Sequence, residues 1–321
     1  MTWCPAFWDS HSEDKEHLSP MIKIVTDSVA SLPADLASAD GVEVVSLYLN
    51  ENGYEHEDAT MDVDDFYSRI YDMADNPPKS SQPSQSLLEE LFESIAQAGD
   101  ELLGIWISSS LSGAFDGALR AARAVESRNI DFSYVMIDSQ SCGWDEALPV
   151  LDGVSAVRGG ATLAEAAQAV LHAIASTRFL FTPESLTFLQ KGGRIGGAAA
   201  LVGNLIRLCP VLTVVDGIPQ SMAKVRTRKK ALEKIVAIMQ EDIARAGGLK
   251  DLAVHYIGDK APAVEWAHKV IEPLFGRKVR VLPVSPVVGL HVGPAVGVAY
   301  ECVHPLEGKI TGDLNRLAFS S

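Results

Sequence analysis

The chain has 321 residues, 47% of them hydrophobic and 21% charged, and a formal net charge of -15. That length makes two domains the starting expectation, and the acidic balance argues against a nucleic-acid partner, which normally meets a basic surface. Cys4, Cys142, Cys209 and Cys302 form no CxxC pair, so no metal site, cofactor or disulfide framework is expected and a reduced, cytoplasmic setting fits.

Residues 1–20 open with Trp3, Phe7 and Trp8 and continue as a polar run. With no basic start and no apolar core segment they do not read as a signal peptide. A loose tail is expected, with Met21 as an alternative start; the other reading is an aromatic cluster that docks on a partner or covers a pocket. Residues 22–25 predict a strand ending in Asp27-Ser28, and a short helix is expected around Pro33. The run 42–49 predicts one strand, followed by an acidic turn with Gly53 in a hairpin position. Residues 62–73 read as a helix with Phe66, Ile70 and Tyr71 inward, stopped by Pro77-Pro78. Ser80-Ser81-Gln82-Pro83-Ser84 then leads into a helix with Leu87, Leu88, Leu91, Phe92 and Ile95 on one face. Ser86 and Glu89 have the spacing of a capping box there, and Gly99 suits the C-cap.

The central stretch is 103–117. Leu103-Gly104-Ile105-Trp106-Ile107 predicts a buried strand, and Ala118, Leu119, Ala122 and Val125 recur at helical spacing. Between them lies Ser108-Ser109-Ser110-Leu111-Ser112-Gly113, a turn made almost entirely of hydroxyls. A turn between a strand's carboxyl end and a helix's amino end is where open α/β sheets bind ligands. Free N–H groups and the helix dipole favour an anion there. The strand 133–137 likewise ends in Asp138-Ser139-Gln140-Ser141.

Farther on, 151–157 predicts a weak helix, and Thr162 with Glu165 caps another to Ser176. Residues 179–182 read as a strand and 185–191 as a short helix broken by Lys191-Gly192-Gly193-Arg194. An apolar helix is expected over 198–208. It is too short to span a membrane, because Asn204 and Arg207 interrupt it well before ~18 apolar residues. Strands follow at 211–215 and 219–222 around an Asp216-Gly217 turn. The dense basic cluster 224–230 then opens a helix to 246, most simply as a solvated face and otherwise as a docking patch. Strands at 252–257, 279–284 and 296–300 frame a helix around 263–271 and an apolar Gly/Pro loop, 286–294, that holds His291. A polar, frayed tail is expected after Cys302.

Several chemistries drop out. No GxGxxG, P-loop, HExxH or GxSxG pattern occurs. Ser221 and Lys224 match SxxK without its companion motifs. No catalytic residue is assigned.

The ordered set of Ile24-Val25-Thr26-Asp27-Ser28, Ser80-Ser81-Gln82-Pro83-Ser84, Ser108 to Gly113, Ile137-Asp138-Ser139, Phe188 to Ile195 and His291-Val292-Gly293-Pro294 resembles the DegV family of bacterial lipid-binding proteins over nearly the whole chain. Ser80 keeps the hydroxyl of the threonine usual at that place. The resemblance implies an α/β fold of two α/β domains, expected at 21–176 and 177–321 after the tail 1–20, with a lipid-binding cleft between them. It implies one long-chain fatty acid and no catalysis by the chain itself. The acid would be presented to a separate ATP-dependent fatty acid kinase subunit. Matched motif by motif, Ser80, Ser112 and His291 would hold the carboxylate with Ser81 beside them, and Arg194 would lie near the head group or the kinase interface. Gly113 and Gly293 complete the expected ligand-binding set.

Two other classes stay open on the residues alone. One is an acyl hydrolase or transferase using a serine of the 108–112 turn, with His291 as base. The other is a non-enzymatic interaction or regulatory protein acting through the basic cluster. Because the tail reads as separable, a chain beginning at Met21 is expected to keep the melting temperature and bound lipid of the full chain. A loss of several degrees, or of lipid, on truncation makes the tail part of the structure.

Overall fold

The computed structural model describes residues 20–201, 208–311 and 317–320. The first unit opens with β1 (Ile22–Asp27), α1 (Ala34–Asp40), β2 (Val42–Val45), β3 (Tyr48–Glu51), β4 (Tyr54–Glu57), α2 (Val63–Arg69), β5 (Lys79–Ser81) and α3 (Gln85–Ala98). It continues with β6 (Glu101–Trp106), α4 (Ala114–Glu126), β7 (Tyr134–Asp138), α5 (Trp144–Arg158) and α6 (Leu163–Ser176). β1, β2, β6 and β7 form a parallel sheet in the order β7-β6-β1-β2. Its strands are mostly apolar because both faces are covered. Leu102, Trp106, Tyr134 and Met136 pack with Phe92 of α3 and Ala118 and Ala122 of α4. Leu103, Ile105, Val135 and Ile137 pack with Val150 and Val154 of α5 and Val170 of α6. A small antiparallel sheet, β4-β3-β5, stands beside it.

The second unit contains β8 (Thr177–Pro183), α7 (Thr187–Lys191), β9 (Cys209–Val215), β10 (Ile218–Val225), α8 (Arg228–Arg245), β11 (Leu249–Ile257), α9 (Ala261–Trp266) and α10 (Glu272–Phe275). It ends with β12 (Arg280–Pro283), α11 (Pro286–Val292) and β13 (Ala295–Cys302). Its sheet runs β10-β9-β8-β13-β11-β12, antiparallel except for the β11–β12 pair.

The crossovers in the first sheet reverse at β1 and β6, so their carboxyl ends open a crevice of the kind that binds ligands. The second unit closes over that crevice. Ser108 Oγ donates to Gly217 O at 2.9 Å. Lys309 Nζ reaches Asp145 at 2.5 Å, with both side chains buried.

Several expectations are corrected. The run 42–49 is two strands, because Leu47 N donates to Ser28 Oγ at 3.0 Å and leaves the ladder. Tyr67 is the inward residue of α2, while Tyr71 is 48% exposed. Ser84, not Ser86, caps α3, its hydroxyl accepting from Leu87 N at 3.2 Å. α5 begins at Trp144, well before 151, and includes Pro149. The stretch 286–292 is helix α11, not a loop, with Pro286 at its first turn where a missing N–H costs nothing. The described residues after Cys302 are tied down rather than frayed. Lys309 is buried, and β14 (Leu317–Phe319) crosses back to pair with β7, so it lies with the first sheet and not with the second unit. Of the apolar helix expected at 198–208, only a 3-10 turn, Gly196–Leu201, is described, and 202–207 lie outside the described residues. The readings of residues 1–19 lie outside them as well.

Gly297 shows how tight the second sheet is. A Cβ there would sit 2.6 Å from Leu180 O and 2.7 Å from Phe181 Cβ. The carbonyl belongs to a paired strand and cannot swing away. Gly297→Ala is therefore expected to cost about 1–3 kcal/mol, the range for overpacking. Denaturant unfolding checks this, and an unchanged midpoint overturns it.

Candidate functional site

A serine-bearing strand, a serine-rich turn and one histidine meet between the units. β5 pairs antiparallel with β3, with Ser80 opposite Leu49 and Ser81 opposite Tyr48. The turn after β6 is wound around Ser108, whose carbonyl accepts from Leu111 N at 2.9 Å and Ser112 N at 3.0 Å. Ser112 Oγ accepts from Ala114 N at 3.2 Å, which brings the chain into α4. At Gly113 a Cβ would fall 2.3 Å from Gln82 Oε1. The lack of a side chain there lets the Gln82 amide lie against the turn.

His291 comes from the last turn of α11, and its Nε2 lies 2.9 Å from Ser80 Oγ. Behind the ring stands Gly192, where a Cβ would lie 2.4 Å from Nδ1. Nδ1 is buried and has no hydrogen-bond partner among the described residues. Burial first, and the Arg194 charge second, push the imidazole down to about 4, so the ring is neutral at pH 7. Arg194 is itself held by two carbonyls, Nε donating to Leu111 O at 3.1 Å and Nη1 to Gly192 O at 2.6 Å.

These groups line a cavity of about 350 Å³, within the size range of small-ligand pockets. Ser80, Ser81, Gln82, Ser112, Gly113, His291 and Arg194 make its polar part. Leu47, Ile107, Leu111, Phe179, Phe181, Leu189 and Val214 supply apolar wall, with Val287, Val288 and Val292 from α11. Arg194 is the only fully charged group among the described lining residues. The cavity therefore offers one positive charge, several hydroxyl donors and an apolar wall. Among the described residues, no cluster of His, Cys, Asp and Glu is placed to hold a metal, and no helix is long and apolar enough to cross a membrane.

Six of the seven expected site residues, Ser80, Ser81, Ser112, Gly113, Arg194 and His291, line this cavity. Gly293 does not. It ends α11 at φ +73°, and a Cβ there would fall 2.3 Å from the Phe188 ring. Its place is structural, letting helix and ring close together. Gln82 and Cys142 line the cavity without having been singled out. Gln82 was legible as the middle of the Ser81-Gln82-Pro83 motif. Cys142 follows the third hydroxyl-ended strand, and that position was its only signal. Burial, then the charges of Glu146 and Asp145, push its thiol well up, so it is a neutral wall group and not a nucleophile.

Residues 21–302 match the model of a family described as "Uncharacterised protein, DegV family". A DegV domain-containing protein of Clostridium perfringens is 35% identical over 280 residues, covering 87% of this chain and 98% of that one. A fatty-acid-binding DegV family protein from Thermus thermophilus shares 29% identity with a TM-score of 0.74, over 88% of this chain and 99% of its own. A stearic acid-binding protein from Eubacterium ventriosum shares 25% identity with a TM-score of 0.81, again over 88% and 99%.

The neutral histidine is directly testable. An imidazole whose folded pKa lies below its unfolded value of about 6.5 stabilises the fold fully above that pH, and this contribution is lost as pH falls toward the folded pKa. Imidazole NMR of the protein is expected to show His291 titrating near 4, with Arg194→Gln raising the midpoint. A midpoint at or above the ordinary value removes the neutral-ring argument.

Proposed function

The chain belongs to the DegV family, and from that premise we propose that it binds one long-chain fatty acid, carboxylate at the polar end of the cavity and acyl chain along its apolar wall. Family relatives of known structure bind fatty acids. The observation that carries the reading here is the mixed lining of one cavity: hydroxyls, one neutral imidazole and one guanidinium together with aliphatic and aromatic side chains. In this reading Ser80, Ser112 and His291 hold the carboxylate, with Ser81 beside them and Arg194 supplying the countercharge. Gly113 keeps room for Gln82. The ligand lies between the two α/β units, divided near residues 176 and 177, with the final strand returned to the first sheet.

Each buried methylene contributes about 0.8 kcal/mol. Each charge-assisted bond to the head group contributes about 1.5–3 kcal/mol before desolvation. The tail therefore supplies most of the affinity and the head group sets orientation. A holder of this kind performs no phosphoryl transfer. It presents an oriented carboxylate to a separate ATP-dependent fatty acid kinase subunit, in a cytoplasmic setting.

The Ser80–His291 contact at 2.9 Å favours a second reading, a serine-dependent acyl hydrolase. In such an enzyme a third group orients the base. Here Nδ1 of His291 faces Gly192 and meets no carboxylate, and the ring is a weak base. The holding role fits this pair better than proton abstraction.

Mass spectrometry of the purified protein is expected to find a non-covalent long-chain fatty acid. Ser112→Ala is expected to weaken calorimetric binding by about 1–2 kcal/mol, the scale of one lost hydrogen bond. The same change cuts phosphorylation by a kinase partner much further, because transfer needs the oxygen held near its attack geometry. No bound or bindable fatty acid overturns the proposal. Ester hydrolysis that Ser80→Ala abolishes establishes the hydrolase instead.

A further inference from the structure

The geometry points to Asp58, Tyr67 and Ser31 as positioning residues that set where His291 stands, by clasping the opposite end of the helix that carries it. This inference rests on the reading of His291 as a head-group ligand.

α11 has seven residues, too few to hold a position by its own hydrogen bonds. One of its faces, Val287, Val288 and Val292, borders the cavity, so that side gives no rigid support to an empty site. The first unit grips the other end. Ser31 Oγ accepts from Ser285 N at 2.9 Å, and Asp58 Oδ1 accepts from Val287 N at 2.9 Å. Tyr67 Oη donates to Val284 O at 2.6 Å and lies 3.3 Å from Ser285 O. All three contacts fall within four consecutive residues at the start of the helix, and His291 follows Val287 by one turn, about 6 Å of rise.

The clasp is itself anchored. Asp58 N donates to Leu47 O at 2.9 Å, and Leu47 is part of the cavity wall. The helix also comes close against Tyr67, since a Cβ on Gly289 would lie 2.6 Å from the phenol oxygen. Asp58 is 4% exposed and Tyr67 2%, so neither bond is exchanged for water. Neither residue lines the cavity, and the side chains of both bond to the start of α11. A shift or rotation of this helix changes the Nε2 to Ser80 Oγ distance directly.

The test compares affinity for hexadecanoic acid and for its methyl ester, which lacks the anionic head group. Wild type is expected to prefer the acid, and His291→Ala to collapse that preference. Tyr67→Phe removes only the hydroxyl, and Asp58→Ala only the acceptor. Each is expected to weaken acid binding by about three- to tenfold, on the scale of one hydrogen bond, while ester binding stays within about twofold. Asp58→Asn keeps one oxygen for Val287 N and is expected to restore the acid preference. A residue that merely supports the fold lowers acid and ester affinity together. That outcome, or no change in Tyr67→Phe and Asp58→Ala while His291→Ala does collapse the preference, overturns the clasp alone. An unaltered preference in His291→Ala overturns the head-group reading and the clasp with it.

Discussion

The site depends on a carboxylate buried between two strand ends. Asp27 closes β1 and is fully buried. One oxygen accepts from Val29 N at 3.0 Å and the other from Ile107 N at 2.8 Å, across to the end of β6. These are the two strands at which the sheet's crossovers reverse, so the bonds fix the mouth of the crevice just where the Ser108 to Gly113 turn departs. Desolvation pushes this carboxyl up to about 7, against the pull of those same backbone donors. A carboxyl raised above its unfolded value favours the fold most at low pH, and that contribution fades as pH rises through the folded pKa. A group carrying that penalty serves to place the turn, and its two bonds leave it no second geometry.

The second unit completes the site through polar ties as well as apolar packing. Ser108 spends its hydroxyl on Gly217 O, so it is a bracket between units and not a ligand group. Lys309 brings the chain after β13 back into the first unit, where Asp145 receives it and also accepts from Ser141. Breaking one partner of such a buried pair leaves a charge without compensation, which costs far more than the pair contributes. Arg194 ties the glycine turn after α7 to Leu111 O. The cavity is thus assembled from elements distant in sequence and held by bonds that cross the unit boundary.

The chemistry follows from that enclosure. Burial makes His291 a neutral hydrogen-bonding group and Cys142 a neutral thiol. It leaves Arg194 as the charge facing the cavity interior. A low-dielectric pocket with one cation rewards a single anion and penalises a second. In the proposed holding role the hydroxyls beside it would orient that anion, and the imidazole that Ser80 meets is a poor base.

The sequence alone determined what is local. Alternation and apolar runs marked most strands of the two larger sheets, the Thr162–Glu165 capping box marked α6, and hydroxyl clusters marked the segment that holds Ser80 and the turn that holds Ser112. Where periodicity carried no information the reading went astray, and α5 shows why. Trp144 to Val150 are all buried, because the helix packs on β1 and β6 of one sheet and on β8 and β13 of the other. A helix covered on every side has no polar face to announce it. α11 was hidden for the same reason, its residues being buried except His291. Tertiary structure alone decided that His291 reaches Ser80 across 211 residues of chain, that Gly293 serves Phe188 rather than the cavity, and that β14 returns to the first sheet. Those outcomes depend on how the units close on one another, and no local pattern encodes a distance between residues that only packing brings together.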